Sequence, residues 1–386
     1  MDLFDASHQW ATRPADERFW TVQEMHDKCK QYRVNAVEAS VDIDKLLVIG
    51  QGEDLFLCGQ EKQAKLTNWS FKQLCTRVKA PSGYLANLNS SVAAACINNG
   101  LSSLEAGNHK SKALFHQNGS YVCRAFTSDQ YSRIWNFQIC ERLLGLESLG
   151  WRVPPARPAL SDQPGTRKAT AADVLALRGQ SGLSIVEGAD IAPAGLYASD
   201  HDMFAFMVNE DNRVADGTDG GMGRGFFISN SEVGAAAFKI KKFLYRYVCG
   251  NHIVWGAKDV EEIRIVHVGT ADRRFGDALA VELRKYANES ASVDEARVKT
   301  TKTTLLGKNG EEVLDLLFGK KILGKADAEK SIEYAKIDAD KHGHDPYSAW
   351  GISQGITEYG QVVSKGYADD RVEYDLAAGK VMQMAF

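Results

Sequence analysis

The sequence predicts an α+β protein: a central antiparallel sheet flanked by helices, with a smaller N-terminal α/β part. Three observations carry this. Between residues 220 and 256, strand-like runs at 226–228, 238–248 and 253–255 alternate with polar turns at 230–234 and 249–252. Residues 114–126 contain Asn118-Gly119, the strongest short hairpin signal, and a helical pattern over 136–146 follows, giving a β-β-α unit. Phe275, Leu279, Leu283 and Tyr286 form one stripe at helical spacing, with charged residues on the other face.

A chain of 386 residues has room for two or three domains and a large core. The expected division is 1–150, an N-terminal α/β part with a helical insert and the hairpin; 151–170, a proline-rich connection; and 171–386, the main antiparallel-sheet domain with C-terminal helices. A net charge of −4 excludes a generally basic coat, so any nucleic-acid contact has to come from a local patch. The seven cysteines are scattered without a CxxC pair, which argues against a zinc ribbon. With no signal peptide and no long apolar run, the expectation is a protein of the bacterial cytoplasm with no membrane contact.

Along the chain, residues 1–20 are irregular, anchored by Trp10, Phe19 and Trp20. Thr21 with Glu24 makes a capping box that opens a helix to about Val34. Strands are expected at 36–49 and 54–58, then helices over 66–100 broken at Pro81. Two short helices around a proline could be a helix-turn-helix, but residues 92–97 are largely apolar, so packing is the default. Four of the eight prolines fall between 152 and 165, in an expected exposed connection. A buried strand at 203–208 leads into an acidic loop at 209–219. For 235–248, a strand pair with a phase change at Lys242-Phe243 is preferred; a bulge or an imperfect register would produce the change, and a helix is the competing reading. A strand at 260–268 follows, then helices from 271, over 312–318 and 326–341, and a last one over 346–359. His267 is expected to be a packed histidine rather than a ligand.

Familiar catalytic patterns are absent. The glycine cluster at 220–225 lacks the lysine and following helix of a P-loop, and neither HExxH nor GxSxG occurs. His342 and His344 flank a glycine, which suits a loop better than a metal site. Asp129, Glu232 and His252 would make a metal or acid–base cluster only if they converged. The expectation is therefore a non-enzyme with no metal and no cofactor. Lys239, Lys241, Lys242 and Arg246 supply four cations with no acid between 235 and 248, and aromatics are interleaved with them. Cations can track a phosphate backbone while aromatic faces stack on unpaired bases. A solvated basic face over an aromatic core explains the same residues structurally.

The run from Arg224 through Asn230-Ser231-Glu232-Val233-Gly234 to Val248-Cys249-Gly250-Asn251 resembles the hallmark of a phage/plasmid-like family described as domain of unknown function 932. Residues 128–134 are similar to its "SD-x-Y" element, and 349–359 to its closing helix. Residues 71–75, 80–81 and 84–85 match too, so the resemblance covers about 60–360; His252 departs from the glycine of many members. It implies a mobile-element origin, often beside replication and recombination functions, but no known activity. The resulting expectation is a single-stranded DNA-binding, homo-oligomeric accessory. Lys239, Lys241, Lys242 and Arg246 would neutralise phosphate, Tyr245 and Tyr247 would stack, and Arg133 and Arg224 would add charge. Asn230, Ser231, Glu232, Gly234, Cys249 and Asn251 are assigned to turn geometry. The alternatives are an interaction protein of a mobile element acting on a host system, and a metal-dependent enzyme.

Overall fold

The computed structural model describes residues 14–59, 62–105, 110–159, 165–176, 185–193, 195–217, 221–246, 263–363 and 368–386. A short strand, β1 (Arg18–Phe19), precedes helix α1 (Val22–Val34). Thr21 caps α1 by accepting from the Glu24 amide at 3.1 Å. The Glu24 carboxylate accepts from the Trp20 amide at 2.9 Å, one residue earlier than in a standard capping box. Strand β2 (Ala36–Asp42) does not run on to residue 49: a 3₁₀ turn at Ile43–Lys45 buries Ile43 and starts β3 (Leu47–Gln51). β3 turns back through Gly52, at φ +60°, into β4 (Asp54–Cys58), and β5 (Gln63–Leu66) follows.

Helices α2 (Asn68–Arg77), α3 (Ser82–Leu85) and α4 (Ser90–Ser102) occupy the region expected to be helical, with the break at Pro81. Ala93, Ala94, Ile97 and Leu101 of α4 are buried in one core with Val48, Leu57, Leu74 and Phe115, so its apolar face is used for packing. The hairpin of β6 (Lys110–Asn118) and β7 (Ser120–Ser128) turns at Gly119, with φ +75°. The N-terminal sheet has the order β2-β6-β7-β5-β4-β3, antiparallel except where β5 and β7 run parallel. Leu114 faces Ala125 while Phe115 faces Cys123, which leaves Arg124 as the extra residue of a bulge.

Helix α5 (Asn136–Leu144) leads to β8 (Trp151–Arg152). The proline-rich connection contributes β9 (Arg157–Pro158) and β10 (Arg167–Lys168), before α6 (Ala171–Ala176). Both strands pair with β11 (Asp190–Ala192) in a small sheet. The main sheet is built from β12 (Leu196–Ala198), β13 (Met203–Val214), β14 (Met222–Asn230), β15 (Phe238–Arg246) and β16 (Ile263–Ile265). Its order is β1-β12-β13-β14-β15-β16, all antiparallel, with β8 also paired to β13. β13 extends to Val214 through an irregular register, where a loop from residue 209 is expected from sequence. β15 is one strand in unbroken register with β14, from Arg246 opposite Met222 to Lys239 opposite Ser229. No bulge falls at Lys242-Phe243. The pattern changes there because both faces of the sheet are covered, so Phe243 and Leu244 are both buried. Residues 247–262, with the third strand expected at 253–255, lie outside the described residues.

The first helix of the C-terminal half, α7 (Ala271–Asn288), buries Phe275, Leu279, Leu283 and Tyr286 as the stripe predicts. They share a core with Met203, Met207, Phe226, Ile228, Phe238 and Ile240 of the sheet, and with Val22 and Met25 of α1 and Ile139 and Leu143 of α5. That core takes residues from both sides of position 150. The opposite face of the sheet carries Tyr197, Phe204, Phe206, Phe227 and Phe243. Gly225 stands under the Phe243 ring, where a Cβ would sit 2.3 Å from a ring carbon. Helices α8 (Ser292–Thr303), α9 (Gly310–Gly319), α10 (Lys325–His342), α11 (Ala349–Val363) and α12 (Ala368–Gln383) complete the chain. The helix over 349–363 is thus not the last. No helix among the described residues is long and apolar enough to cross a membrane.

Candidate anion-binding cleft

The turn after β14 is where the two large sheets meet. Asn230 Nδ2 donates to the Ile134 carbonyl at 2.9 Å and to Asn136 Oδ1 at 2.8 Å. Ser231 Oγ donates to the His201 carbonyl at 2.8 Å and accepts from the Ala235 amide at 3.1 Å. Glu232 accepts from the Asn136 amide at 2.9 Å, which satisfies an otherwise unpaired donor at the start of α5. Its other oxygen accepts from Arg124 Nη1 at 3.2 Å, and both side chains are only 2% exposed. The Val233 carbonyl accepts from Trp69 Nε1 and Gln73 Nε2 of α2, each at 2.9 Å. Gly234, at φ +82°, completes the turn where a side chain would be strained.

This turn also fixes the segment before α5. Tyr131 Oη donates to the Ser231 carbonyl at 3.0 Å, and the Ser132 amide donates to the His267 carbonyl at 2.9 Å. The segment is extended, so alternate side chains share a side. Ile134 goes into the main core, while Tyr131, Arg133 and Trp135 form the other set. The Arg133 guanidinium carbon lies 5.1 Å from the Tyr131 ring centroid and 5.5 Å from that of Trp135. Tyr131 in turn stacks on His267 at 5.0 Å, and Trp135 meets the Arg33 guanidinium at 4.4 Å.

Arg133 is 5% exposed, and Nε, Nη1 and Nη2 have no hydrogen-bond partner among the described residues. Glu38 Oε2 stands 3.6 Å from Nε, beyond hydrogen-bonding reach. Burial pulls the Arg133 pKa down from its ordinary value, and Glu38 opposes that. An arginine nevertheless stays charged at neutral pH. The result is a desolvated cation with unused donors. It lines a cleft of about 420 Å³ together with Glu38, Lys112, Gln130, Tyr131, Ser132, Trp135, Gly269, Thr270, Asp272 and Arg273. Lys112 Nζ donates to the Tyr131 carbonyl at 2.9 Å, which uses one of its three protons. Ser132 and Asp272 exchange hydrogen bonds of 3.0 and 3.2 Å, tying the first turn of α7 to the cleft segment. Three cations face two carboxylates, leaving the lining net positive.

The other cations expected at a nucleic-acid surface are dispersed. Arg224 is 1% exposed and closes the end of α7, donating to the Tyr286 and Glu289 carbonyls at 3.1 and 2.6 Å and to Asp294 at 3.4 Å. Lys242 faces α7, 3.3 Å from Glu282 and 5.2 Å from the Tyr286 ring centroid. Lys239 and Lys241 are half-buried on the opposite face of β15, where Lys239 pairs in register with Arg264. Tyr245 and Arg246 end β15, opposite Gly223 and Met222. Tyr247, Cys249, Asn251 and His252 lie outside the described residues. Among the described residues of the predicted set, Arg133 alone lines the cleft, while Asn230, Ser231, Glu232 and Gly234 gather in the turn. Among the described residues, no group of three or more histidine, cysteine, aspartate or glutamate side chains is placed to hold a metal. Asp129 is exposed. His344 and His342 turn their Nε2 atoms toward Asp338, at 2.7 and 3.4 Å. Sequence reasoning missed Lys112, Arg124, Trp135 and Arg273. The i, i+2 spacing of Tyr131, Arg133 and Trp135 was the available signal for Trp135.

Fold and cleft define an α+β protein whose two principal sheets are locked at one turn, with a desolvated arginine lining a cleft beside that turn. Residues 175–374 match the family described as domain of unknown function (DUF932), which is more than half of the chain, and the protein belongs to it. The match includes the 230–234 turn and the start of α7, while the Tyr131–Arg133–Trp135 segment lies before it. No curated protein and no solved structure matches the chain.

Proposed function

We propose that this protein is a non-enzymatic nucleic-acid-binding accessory of a phage or plasmid, working on single-stranded DNA in recombination or replication in the bacterial cytoplasm. The observation that carries the reading is Arg133: a buried guanidinium, flanked by two aromatic rings, with no hydrogen-bond partner among the described residues. Glu38 stands 3.6 Å away as a counter-charge, and a phosphate would supply the hydrogen-bond acceptors that the guanidinium lacks. Lys112 and Arg273 strengthen the field in the cleft. Lys239 and Lys241 add a second basic row on β15, and self-association would extend the contact along a strand.

The test is fluorescence anisotropy with labelled single- and double-stranded DNA over a salt series. The expected result is preferential single-strand binding, with log affinity falling against log salt by about 0.7 per phosphate neutralised. Arg133→Ala should weaken it by about tenfold or more, the loss of a charge-assisted bidentate contact. Absence of binding at low salt would overturn the reading and leave assembly with a protein partner as the function to pursue.

A further inference from the structure

The two edges of the N-terminal sheet differ. At one edge, α4 closes β3. Asn98 Oδ1 accepts from the Val48 amide at 2.9 Å and Asn98 Nδ2 donates to the Val48 carbonyl at 2.7 Å, so one side chain makes both bonds of a strand partner. Gly50 lets that helix lie against the strand, since a Cβ there would stand 2.4 Å from the Ser90 carbonyl carbon. At the other edge, β2 has no such cover among the described residues. It is seven residues long and lies in unbroken register on β6, with no proline, lysine or bulge. Sheets usually protect an edge of this length, because its outer amides and carbonyls are a template for another strand. The edges of the main sheet, β1 and β16, are protected by shortness, at two and three residues.

The ladder decides which groups of β2 face outward. The Gln117 amide donates to the Asn35 carbonyl at 3.0 Å, so Asn35 turns its backbone toward β6. Alternation turns Val37, Ala39 and Val41 the same way and leaves the amides and carbonyls of Ala36, Glu38, Ser40 and Asp42 pointing out. No hydrogen bond to those outward groups occurs among the described residues. A second β2 can pair antiparallel about a two-fold axis where outward groups meet outward groups. An axis at Glu38 sets that residue against itself, and one at Ser40 sets Glu38 against Asp42, so both oppose acids. An axis at Ala39 uses the whole strand. Ala36 then meets Asp42 of the second copy, Glu38 meets Ser40 and Val37 meets Val41, with no acid facing an acid. Val37, 49% exposed in the single chain, gains an apolar partner across the axis.

We infer that β2 is a dimerisation edge: two copies of this chain join antiparallel about Ala39 and run their N-terminal sheets into one. The inference does not depend on the nucleic-acid reading. Glu38 lines the cleft beside Arg133, so the two clefts open on the same face of the joined sheet, next to the axis.

The experiment is sedimentation velocity of the full chain over a micromolar concentration series. A reversible monomer–dimer equilibrium is expected. Ser40→Pro removes an outward amide without touching the β6 ladder and should leave a monomer. Ser40 is exposed, so charges placed there give an independent check should the proline variant fail to fold. Ser40→Glu sets an acid against Glu38 on both sides of the axis and should weaken the dimer by about tenfold, whereas Ser40→Lys sets a cation against it and should tighten the dimer. Ala39→Cys lies on the axis in a non-hydrogen-bonded pair, where Cα atoms stand about 4.5 Å apart. It should form an intermolecular disulfide under oxidised glutathione, with the parent as the control for its native cysteines. A monomer at every concentration would overturn the inference and leave the edge to a strand from another protein. A dimer indifferent to all three Ser40 changes, or an assembly with an odd number of copies, would overturn it as well. Weakening by Ser40→Lys would reject the Ala39 axis.

Discussion

Glu232 holds two positions at once: it caps α5 through the Asn136 amide and pairs with Arg124 from the bulge of β7. Arg124 also donates from Nε to the Asp200 carbonyl at 3.1 Å, so this pair fastens the N-terminal sheet to the main one. Removing one partner of a buried ion pair leaves an uncompensated charge. Glu232→Ala is therefore expected to lower the unfolding free energy by about 3–5 kcal/mol, and Glu232→Ala with Arg124→Ala by less than the sum of the single changes. Urea denaturation of the three variants measures this, and a Glu232→Ala protein as stable as the parent would show that the turn does not depend on the pair. His267 gives a second prediction. Burial is the largest influence on its imidazole, and its pKa is pushed down from 6.5 to about 4. Between those values the unfolded chain binds a proton that the native state refuses. Stability from this group is thus complete above pH 6.5 and is lost as the pH falls toward 4, by about 3 kcal/mol in total. His116, lowered by burial too, contributes with the same sign. His267→Phe, which retains a ring against Tyr131, should flatten the pH dependence of the melting temperature in that window. An unchanged slope would reject the assignment.

At the scale of elements, the sequence was readable where side-chain periodicity and turn chemistry agreed. The Asn118-Gly119 hairpin, the Thr21 cap and the Phe275–Leu279–Leu283–Tyr286 stripe all appear as expected. The sequence reads as helical from 271 without marking where α8 begins or ends, because Val298 and Thr301 are its only buried residues among the described ones and it shows almost no apolar face. β13 was cut short at residue 209 because Asn209, Asp211 and Asn212 are turn formers, yet the strand continues through an irregular register. In β15 the expected phase change was a change in what covers the sheet, which periodicity cannot distinguish from a bulge. The cleft was half legible. Arg133 is expected from sequence as an added charge, but Lys112 and Arg273 come from a strand and a helix separate from its segment. Arg124 was invisible for another reason: between Cys123 and Ala125 in a buried hairpin strand, only the bulge turns it toward Glu232.

At the scale of the whole molecule, the C-terminal helices have a core of their own, made by Val313, Leu317, Ile332, Ala335, Ile352, Ile356, Tyr374 and Val381. Gly355 permits the close crossing of α10 and α11, since a Cβ there would lie 2.1 Å from the Ser331 carbonyl oxygen. Among the described residues, a small cluster joins this bundle to the main sheet: Trp350 from α11 and Met382 from α12 meet Val298 from α8 and Val214, Met222 and Leu244 from the strands. Trp350 is the largest side chain of that cluster and is fully buried, with the Lys302 ammonium 5.1 Å from its ring centroid. Trp350→Ala should cost about 3–5 kcal/mol, and the loss falls on the connection rather than on either core. In the parent, hydrogen-exchange protection of fragments from 310–363 and from 196–246 is expected to disappear together as denaturant rises. In Trp350→Ala the two sets should separate, the helical fragments opening first, because the bundle then stands on a smaller core and has lost its main contact with the sheet. Coincident loss in the variant would mean that the two cores are coupled by contacts other than this cluster.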